Sequence, residues 1–378
     1  MLGNVQKLAE TLWYIQGEMP PDSSKAPDPC NIAVYKAEDR LYLIDTSCTL
    51  EMRASLKKTI EAARPFETIT LINTNSHLDH ICNNDLITQA GAKNVHHYIS
   101  QVGMKDDMLD APEYFSRQFD RMDEYFDPFS SYQVYRLKYA SAGFMRDLIG
   151  LWVGRRKVLK MLFRTLFKKF EPVRTSRETM TPLENLPSED ISLFGAAWKG
   201  WVLGQKDVMV LEGRAHTGDE VFVYIPKHKT LCTGDLTFPL FPTWEDSSRE
   251  RILHCLNQFL TMTQNGGVEI LIDGHSHQVY LGKESVIRFI SQLINDHIKF
   301  ETILQEIFAK KDGLKPVEVY SEFKQYPDPV VKKYLEAEFP HSPPSLQNVM
   351  VTTLLQMGFQ ARGKYRHKRF YRTVAAAR

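Results

Sequence analysis

The sequence predicts an α/β fold with sheets inside and helices outside. Three observations carry the prediction. Short β-branched and apolar runs recur in two separate rounds, segments of helical periodicity lie between them, and polar or glycine turns close the segments.

In the first round, Asn31 to Tyr35 and Arg40 to Asp45 read as strands joined by the polar turn Lys36-Ala37-Glu38-Asp39. Arg53 to Ala63 has helical spacing, and Thr68 to Asn73 is a β-branched run suited to a buried strand. Asp85 to Ala90 reads as a short helix closed by Gly91, and Val95 to Ile99 as a further strand. The second round has strands at Val208 to Glu212, Glu220 to Ile225, Thr230 to Thr233 and Val268 to Ile272, with helices at Arg249 to Thr263 and Glu284 to Lys310. Between the rounds, residues 103–139 carry nine aromatics, and residues 146–177 hold ten Lys or Arg against Asp147 and Glu171. Leu148, Trp152, Leu159, Leu162, Phe163, Leu166 and Phe170 recur there at helical spacing with basic residues between them, an amphipathic pattern. The expected organisation is therefore a core over residues 1–290 with a helical insertion at about 103–188. A helical C-terminal extension over 291–378 follows, broken at Pro327, Pro329 and Pro340 to Pro344 and basic from Arg362 to Arg372.

At 378 residues the chain exceeds the usual size of one core, which fits a domain with large additions. The net charge of +1 gives no global sign of nucleic-acid binding. Five cysteines without a CxxC pair argue against a disulfide framework and for a reducing compartment. The N-terminal segment lacks the pattern of a signal peptide, and no apolar run approaches the ~20 residues that cross a bilayer. A cytoplasmic location is expected.

The chemistry concentrates just past strand ends. Thr74-Asn75-Ser76-His77-Leu78-Asp79-His80 follows the strand ending at Asn73, so imidazole and carboxylate groups can converge on one cation. His216, Asp235 and His275 also stand just beyond strands, beside Gly218, Gly234 and Gly274, which let the backbone turn sharply. His277 is a spare candidate next to His275; His96 and His97 lie on a strand and are read as structural, and Cys82 as a small buried filler. Neither a GxSxG nucleophile elbow nor a glycine-rich phosphate loop occurs.

With these residues the chain resembles the metallo-β-lactamase superfamily, whose signature is HxHxDH followed by a His, a bridging Asp and a final His. The resemblance covers about residues 8–280 outside the insertion; Leu43-Ile44-Asp45-Thr46 is similar to the family's early strand-end Asp. It implies a four-layer αββα sandwich with metals at one sheet edge. It further implies a first site of Asn75, His77 and His216, a second of Asp79, His80 and His275, and Asp235 bridging both. The departure is Asn75, where the family usually has His. An amide oxygen is a weaker zinc ligand than imidazole, so the first site is expected to be weak, empty, or filled by iron or manganese. The bridging Asp resembles the glyoxalase II, lactonase and alkylsulfatase branches.

The resemblance implies a zinc-dependent hydrolase, with one or two ions and a metal-bound hydroxide attacking an ester-like bond: a lactone, thioester, carboxylic ester or sulfate ester. Asp79 would be the catalytic residue, binding metal and steering the proton of water. The aromatics and cationic face of the insertion, with the apolar loop Phe238 to Trp244, suit a bulky apolar substrate with a negatively charged part; packing of the insertion's own core or of a dimer interface is the alternative use of the same side chains. An iron-dependent redox enzyme on the same scaffold, and a binding protein without catalysis, are the alternatives; retention of every other ligand argues against the latter. The expected partner is a small hydrophobic molecule. Nucleic acid is not expected, membrane contact is disfavoured, and self-association is left open.

Overall fold

Strand alternation decides which side chains meet between the sheets and which meet the helices. The computed structural model describes residues 2–17, 29–105, 113, 116–117, 124–125, 157, 160–161, 164, 177–237, 247–276, 278–336, 345–364 and 367–373. The chain forms two compact units. One holds residues 1–109, 168–238 and 250–292; the other holds 110–167, 239–249 and 293–378.

In the first unit, β1 (Asn4–Ala9), β2 (Leu12–Gln16), β3 (Ile32–Ala37), β4 (Arg40–Ile44), β5 (Thr68–Ile72), β6 (Asn94–Ile99) and β7 (Thr181–Pro182) form one sheet in sequential order. Pairing is antiparallel from β1 to β4 and parallel from β4 to β7. A second sheet runs through β8 (Glu189–Leu193), β9 (Ala196–Leu203), β10 (Val208–Glu212), β11 (Val221–Ile225), β12 (Thr230–Cys232), β13 (Ile270–Ile272) and β14 (Tyr280–Leu281), antiparallel except for the parallel pair β12–β13.

Ala33, Tyr35, Tyr42 and Ile44 point inward and meet Val221, Val223, Ile225 and Trp201 of the other sheet in one buried cluster. Their neighbours Ile32, Val34, Leu41 and Leu43 face the other way, onto Met52, Leu56 and Ile60 of helix α1 (Leu50–Ala62). The period of two therefore feeds two apolar layers from one strand. Thr49 caps α1, its side chain accepting from the Met52 N–H at 3.2 Å. On the far side of the second sheet, Phe222 packs edge-on against Phe259 of α4 (Arg249–Gln264) at 4.9 Å, and Trp198 stacks on Phe259 at 5.3 Å. Such aromatic pairs add about 0.5–1.5 kcal/mol beyond their burial. Helix, sheet, sheet and helix thus form the four expected layers. Helices α2 (Leu78–Ile81) and α3 (Leu86–Gln89) are single turns after β5.

The predicted strands and helices lie within a few residues of the observed ones. Lys36 and Ala37, expected in the turn, extend β3, and the reversal tightens onto Glu38 and Asp39, with Glu38 at φ 50°. The strands β1, β2, β8 and β9 were not expected. Within the segment read as an insertion, Thr181–Pro182 pairs with β6, while Lys157, Lys160, Met161 and Arg164 are helical. The rest of that amphipathic stretch, the loop Phe238 to Trp244 and His277 lie outside the described residues.

Helix α5 (Lys283–Lys310) continues the chain into the second unit. There α6 (Pro316–Lys324), α7 (Pro329–Glu336) and α8 (Ser345–Gln356) follow, with a hairpin of β15 (Gln360–Arg362) and β16 (Arg369–Tyr371). Pro316 and Pro329 open their helices, where the missing N–H costs nothing. Phe300 stacks on Tyr334 at 4.5 Å and meets Phe323 at 5.3 Å in this unit's core.

Topology brings the candidate residues to one edge. Parallel β4 and β5 end side by side, delivering Asp45 and the loop 73–80. Parallel β12 and β13 do the same for Asp235 and His275, and the antiparallel β10–β11 turn carries His216 to that edge. A bond from Val221 N–H to Thr74 O, 2.8 Å, ties the two sheets there.

Candidate metal centre

Asp79, His80, Asp235 and His275 converge as one group of potential ligand atoms, and His77, His216 and Asp235 as a second. Asp235 belongs to both, and its two oxygens divide between them. Oδ1 lies 2.9 Å from His80 Nε2 and 3.0 Å from His275 Nε2; Oδ2 lies 3.4 Å from His216 Nε2 and 3.7 Å from His77 Nδ1. Asp79 Oδ2 completes the first group at 3.2 Å from His275 Nε2 and 3.3 Å from His80 Nε2. Ligands about 2.0–2.1 Å from a tetrahedral zinc ion stand about 3.3–3.4 Å apart. The spacing, and a set of two imidazoles and two carboxylates, therefore fit a divalent cation with borderline tastes: zinc, iron or manganese.

Local structure sets each direction. The single turn α2 begins right after His77, so Asp79 and His80 project together into one group while His77 turns to His216, ring centroids 5.3 Å apart. His80 Nδ1 faces Asp45 Oδ2 at 2.9 Å and Thr74 Oγ1 at 3.1 Å. That fixes the proton on Nδ1 and turns the Nε2 lone pair toward the ligand group, the usual outer support of a metal-binding histidine. Asp45 in turn accepts from Thr74 N–H at 2.8 Å and Thr74 Oγ1 at 2.7 Å. Asp219 Oδ2 accepts the Ser76 N–H at 2.8 Å and its Oδ1 the Thr217 hydroxyl at 2.6 Å, joining the loops of His77 and His216. Glu220 Oε2 accepts the His216 N–H at 2.8 Å. Two glycines are obligatory. A side chain on Gly274 would collide with Asp235 Oδ1 and stand 3.0 Å from Gly234 O, and Gly234 itself has φ 52° with Thr74 against it.

Electrostatics agree with a site built to compete for protons. Burial works against charge on His80, yet Asp235, Cys30, Asp45 and Asp79 around it raise its pKa well above the usual value. Burial likewise opposes ionisation of Asp79 and Asp235, but the facing His80 and His275 hold both below the ordinary carboxylate range. His216 behaves oppositely: burial, with His77, His80 and His275 nearby, lowers it to about 3 despite Asp235. It stays neutral and able to donate a lone pair at physiological pH. Cys30, Asp45 and His80 form a third close group, but burial pushes the Cys30 thiol up to about 11, against the pull of His80. It remains a thiol there.

Asn75 departs from the expectation. Its Oδ1 accepts the His77 N–H at 2.9 Å and its Nδ2 donates to Asp235 Oδ2 at 3.1 Å. The amide thus turns a donor, not an oxygen, toward the group it was expected to join as a ligand. The reason is local: a two-residue turn supplies the N–H that the amide oxygen takes. His97 is structural, bonded through Nε2 to Asn73 Oδ1 at 2.7 Å, and His96 stacks on Tyr98. Cys82 is buried. Asn31, Asp219 and Glu220 escaped the sequence reading; only the position of Asp219 and Glu220 beside His216 could have flagged them.

Residues 26–148 match the family model described as the Metallo-beta-lactamase superfamily. That match spans about a third of the chain, including the loop of Asn75, His77, Asp79 and His80. No curated protein sequence matches it. Among solved structures, a metallo-beta-lactamase family protein from Thermus thermophilus is similar, with 14% identity, TM-score 0.55, and coverage of 97% of this chain and 100% of that one. A beta-lactamase domain protein from Burkholderia ambifaria has 14% identity, TM-score 0.53, and coverage of 99% and 96%. The stereoselective inverting sec-alkylsulfatase Pisa1 from Pseudomonas sp. has 13% identity and TM-score 0.52; the match covers 95% of this chain but 51% of the alkylsulfatase. At these identities the likenesses establish the fold. Among the described residues no helix is long and apolar enough to cross a membrane.

Proposed function

We propose that this chain is a metal-dependent hydrolase of an ester-like bond in a bulky apolar substrate. The observation that carries the reading is Asp235, whose two oxygens face two separate histidine groups at ligand-like separations. Asp79, His80, Asp235 and His275 would hold the tighter ion, with zinc preferred by the donor set. When bound, such an ion supplies Lewis acidity that brings the ionisation of water from 15.7 towards about 7. His80 is kept in the binding tautomer by Asp45. Asp79 is the most open member of the group, its side chain 22% exposed against 0–8% for His80, Asp235 and His275. Its Oδ2 faces the histidines, so Oδ1 would be the atom that orients the attacking water or accepts its proton. His77 and His216, grouped with Asp235, would hold a second ion or make polar contacts to substrate. The aromatic residues of 103–139 and the alkylsulfatase likeness in fold favour esters with large apolar groups over small polar ones.

Elemental analysis of purified protein, paired with a panel of carboxylic, thio-, lactone and sulfate esters of increasing chain length, tests this. The expected result is stoichiometric metal and turnover of one ester class. Chelation should abolish that turnover, and His275→Ala should lose both metal and activity. Hydrolysis undiminished by chelation, or a protein that binds no divalent ion, would overturn the reading.

A further inference from the structure

Asn31 stands just before β3, in the sheet opposite the one that carries His275. Its buried side chain uses all four of its hydrogen-bonding positions. Oδ1 accepts from Tyr14 Oη–H at 2.9 Å and from Gly17 N–H at 2.7 Å, while Nδ2 donates to Asp273 O at 2.9 Å and Ser276 O at 3.0 Å. The Asn31 backbone N–H adds a bond to Gly274 O at 2.7 Å. Three of these bonds therefore end on carbonyls of residues 273–276, the short stretch that contains His275.

Within its own sheet the stretch is tied by the Gly274 N–H, which donates to Gly234 O at 2.6 Å, and it follows β13, which pairs in parallel with β12. Strands β13 and β14 pair only at Ile270–Leu281 and Leu271–Tyr280. Inside the stretch, Asp273 Oδ1 accepts the Ser276 N–H at 2.6 Å and its Oδ2 the Ser276 hydroxyl, which shapes the turn without fixing it to the opposite sheet. Gly274 lies so close to Asp235 that a small shift of the turn moves His275 relative to the other ligands.

We propose that Asn31 is a positioning residue that sets His275 against Asp79, His80 and Asp235, and so governs metal affinity there. Only an amide does this, since two donors must meet two carbonyls while one oxygen takes two N–H or O–H groups. The inference rests on the metal-centre reading above.

The test compares unmodified protein with Asn31→Asp, Asn31→Ser and Tyr14→Phe. The measurements are zinc affinity by chelator competition, the absorption spectrum of the cobalt-substituted protein, and far-UV circular dichroism of the metal-free form. Asn31→Asp keeps the acceptor used by Tyr14 and Gly17 but sets an oxygen against the carbonyls of Asp273 and Ser276. Zinc binding should weaken about 10–100-fold, the range for lost outer-shell partners, and the cobalt spectrum should change while the fold persists. Tyr14→Phe removes a bond on the far side of Asn31 and should leave both readouts unchanged. A merely structural Asn31 would lower the melting temperature and leave zinc affinity and the spectrum alone, which would overturn the proposal. If Asn31→Asp fails to fold, Asn31→Ser decides by the same criteria. Unmodified protein that binds no divalent ion would overturn the metal-centre reading itself, and this proposal with it.

Discussion

Asp45→Asn changes one atom, and the structure says how that change reaches the ligand group. Asp45 Oδ1 accepts the Thr74 N–H at 2.8 Å, and Oδ2 accepts Thr74 Oγ1 at 2.7 Å and faces His80 Nδ1 at 2.9 Å. An asparagine must place its NH2 at one of those two positions. At the first it would meet the Thr74 N–H, donor against donor. At the second it would donate to His80 Nδ1, which forces the imidazole proton onto Nε2, the atom that faces Asp235 and Asp79. The second orientation costs less, and it blocks the lone pair a metal needs. A hydrogen bond to a charged partner is worth about 1.5–3 kcal/mol, and about 1.4 kcal/mol corresponds to tenfold in affinity. Zinc should therefore bind roughly 10–150-fold more weakly, while burial around Asp45 and the strand pairing stay intact. Competition with a chromophoric chelator measures the affinity, and imidazole nitrogen resonances of metal-free protein, followed upward in pH until His80 loses its second proton, report which nitrogen keeps the other. A folded Asp45→Asn protein with unchanged zinc affinity would refute the orientation argument.

Asn75→His replaces a side chain that turns its donor to Asp235 Oδ2 with one that can ligate beside His77 and His216. Metal content should rise from one ion towards two, and two equally tight ions in the unmodified protein would contradict the idea. His97 supplies the pH test. Burial lowers it from 6.5 to about 4 in the folded chain, so on acidification the unfolded chain takes up the proton first. Its contribution is present above pH 6.5 and lost as pH falls towards 4, amounting to about 3 kcal/mol at 1.36 kcal/mol per unit. In urea denaturation from pH 7 to 4.5, His97→Gln should flatten that part of the loss; equal slopes in both proteins would show that His97 is not its source.

The strands at 31–45, 68–73, 208–212 and 220–233 were legible because β-branched runs ended at turn residues, and the ligand groups because each stood just past such a run. The strands β1, β2, β8 and β9 were harder. In Leu12–Gln16 and Ala196–Leu203, aromatic side chains serve two faces at once: Trp201 enters the inter-sheet core while Trp198 turns to Phe259. Apolar residues on both faces blur the alternation that marks a half-exposed strand. Asn31 was invisible for a different reason, because its partners lie 242 and 245 residues away and no local pattern encodes such a bond. The orientation of Asn75 was equally out of reach. A motif position names the residue type, but the direction of an amide depends on which neighbours offer N–H and oxygen.

Of the candidate ligands, His77, Asp79 and His80 come from the loop after β5, and His216, Asp235 and His275 from loops of the second sheet. An ion held by both sets would be a staple through the seam of the sandwich, closing loops of well over a hundred residues. Its occupancy and the docking of the two sheets would then be a single equilibrium, with each tenfold excess of free ion over its dissociation constant adding about 1.4 kcal/mol to the folded state. Chelation would consequently act on the whole first unit: the inter-sheet layer around Tyr35, Tyr42, Val223 and Trp201 would lose its clasp along with the chemistry.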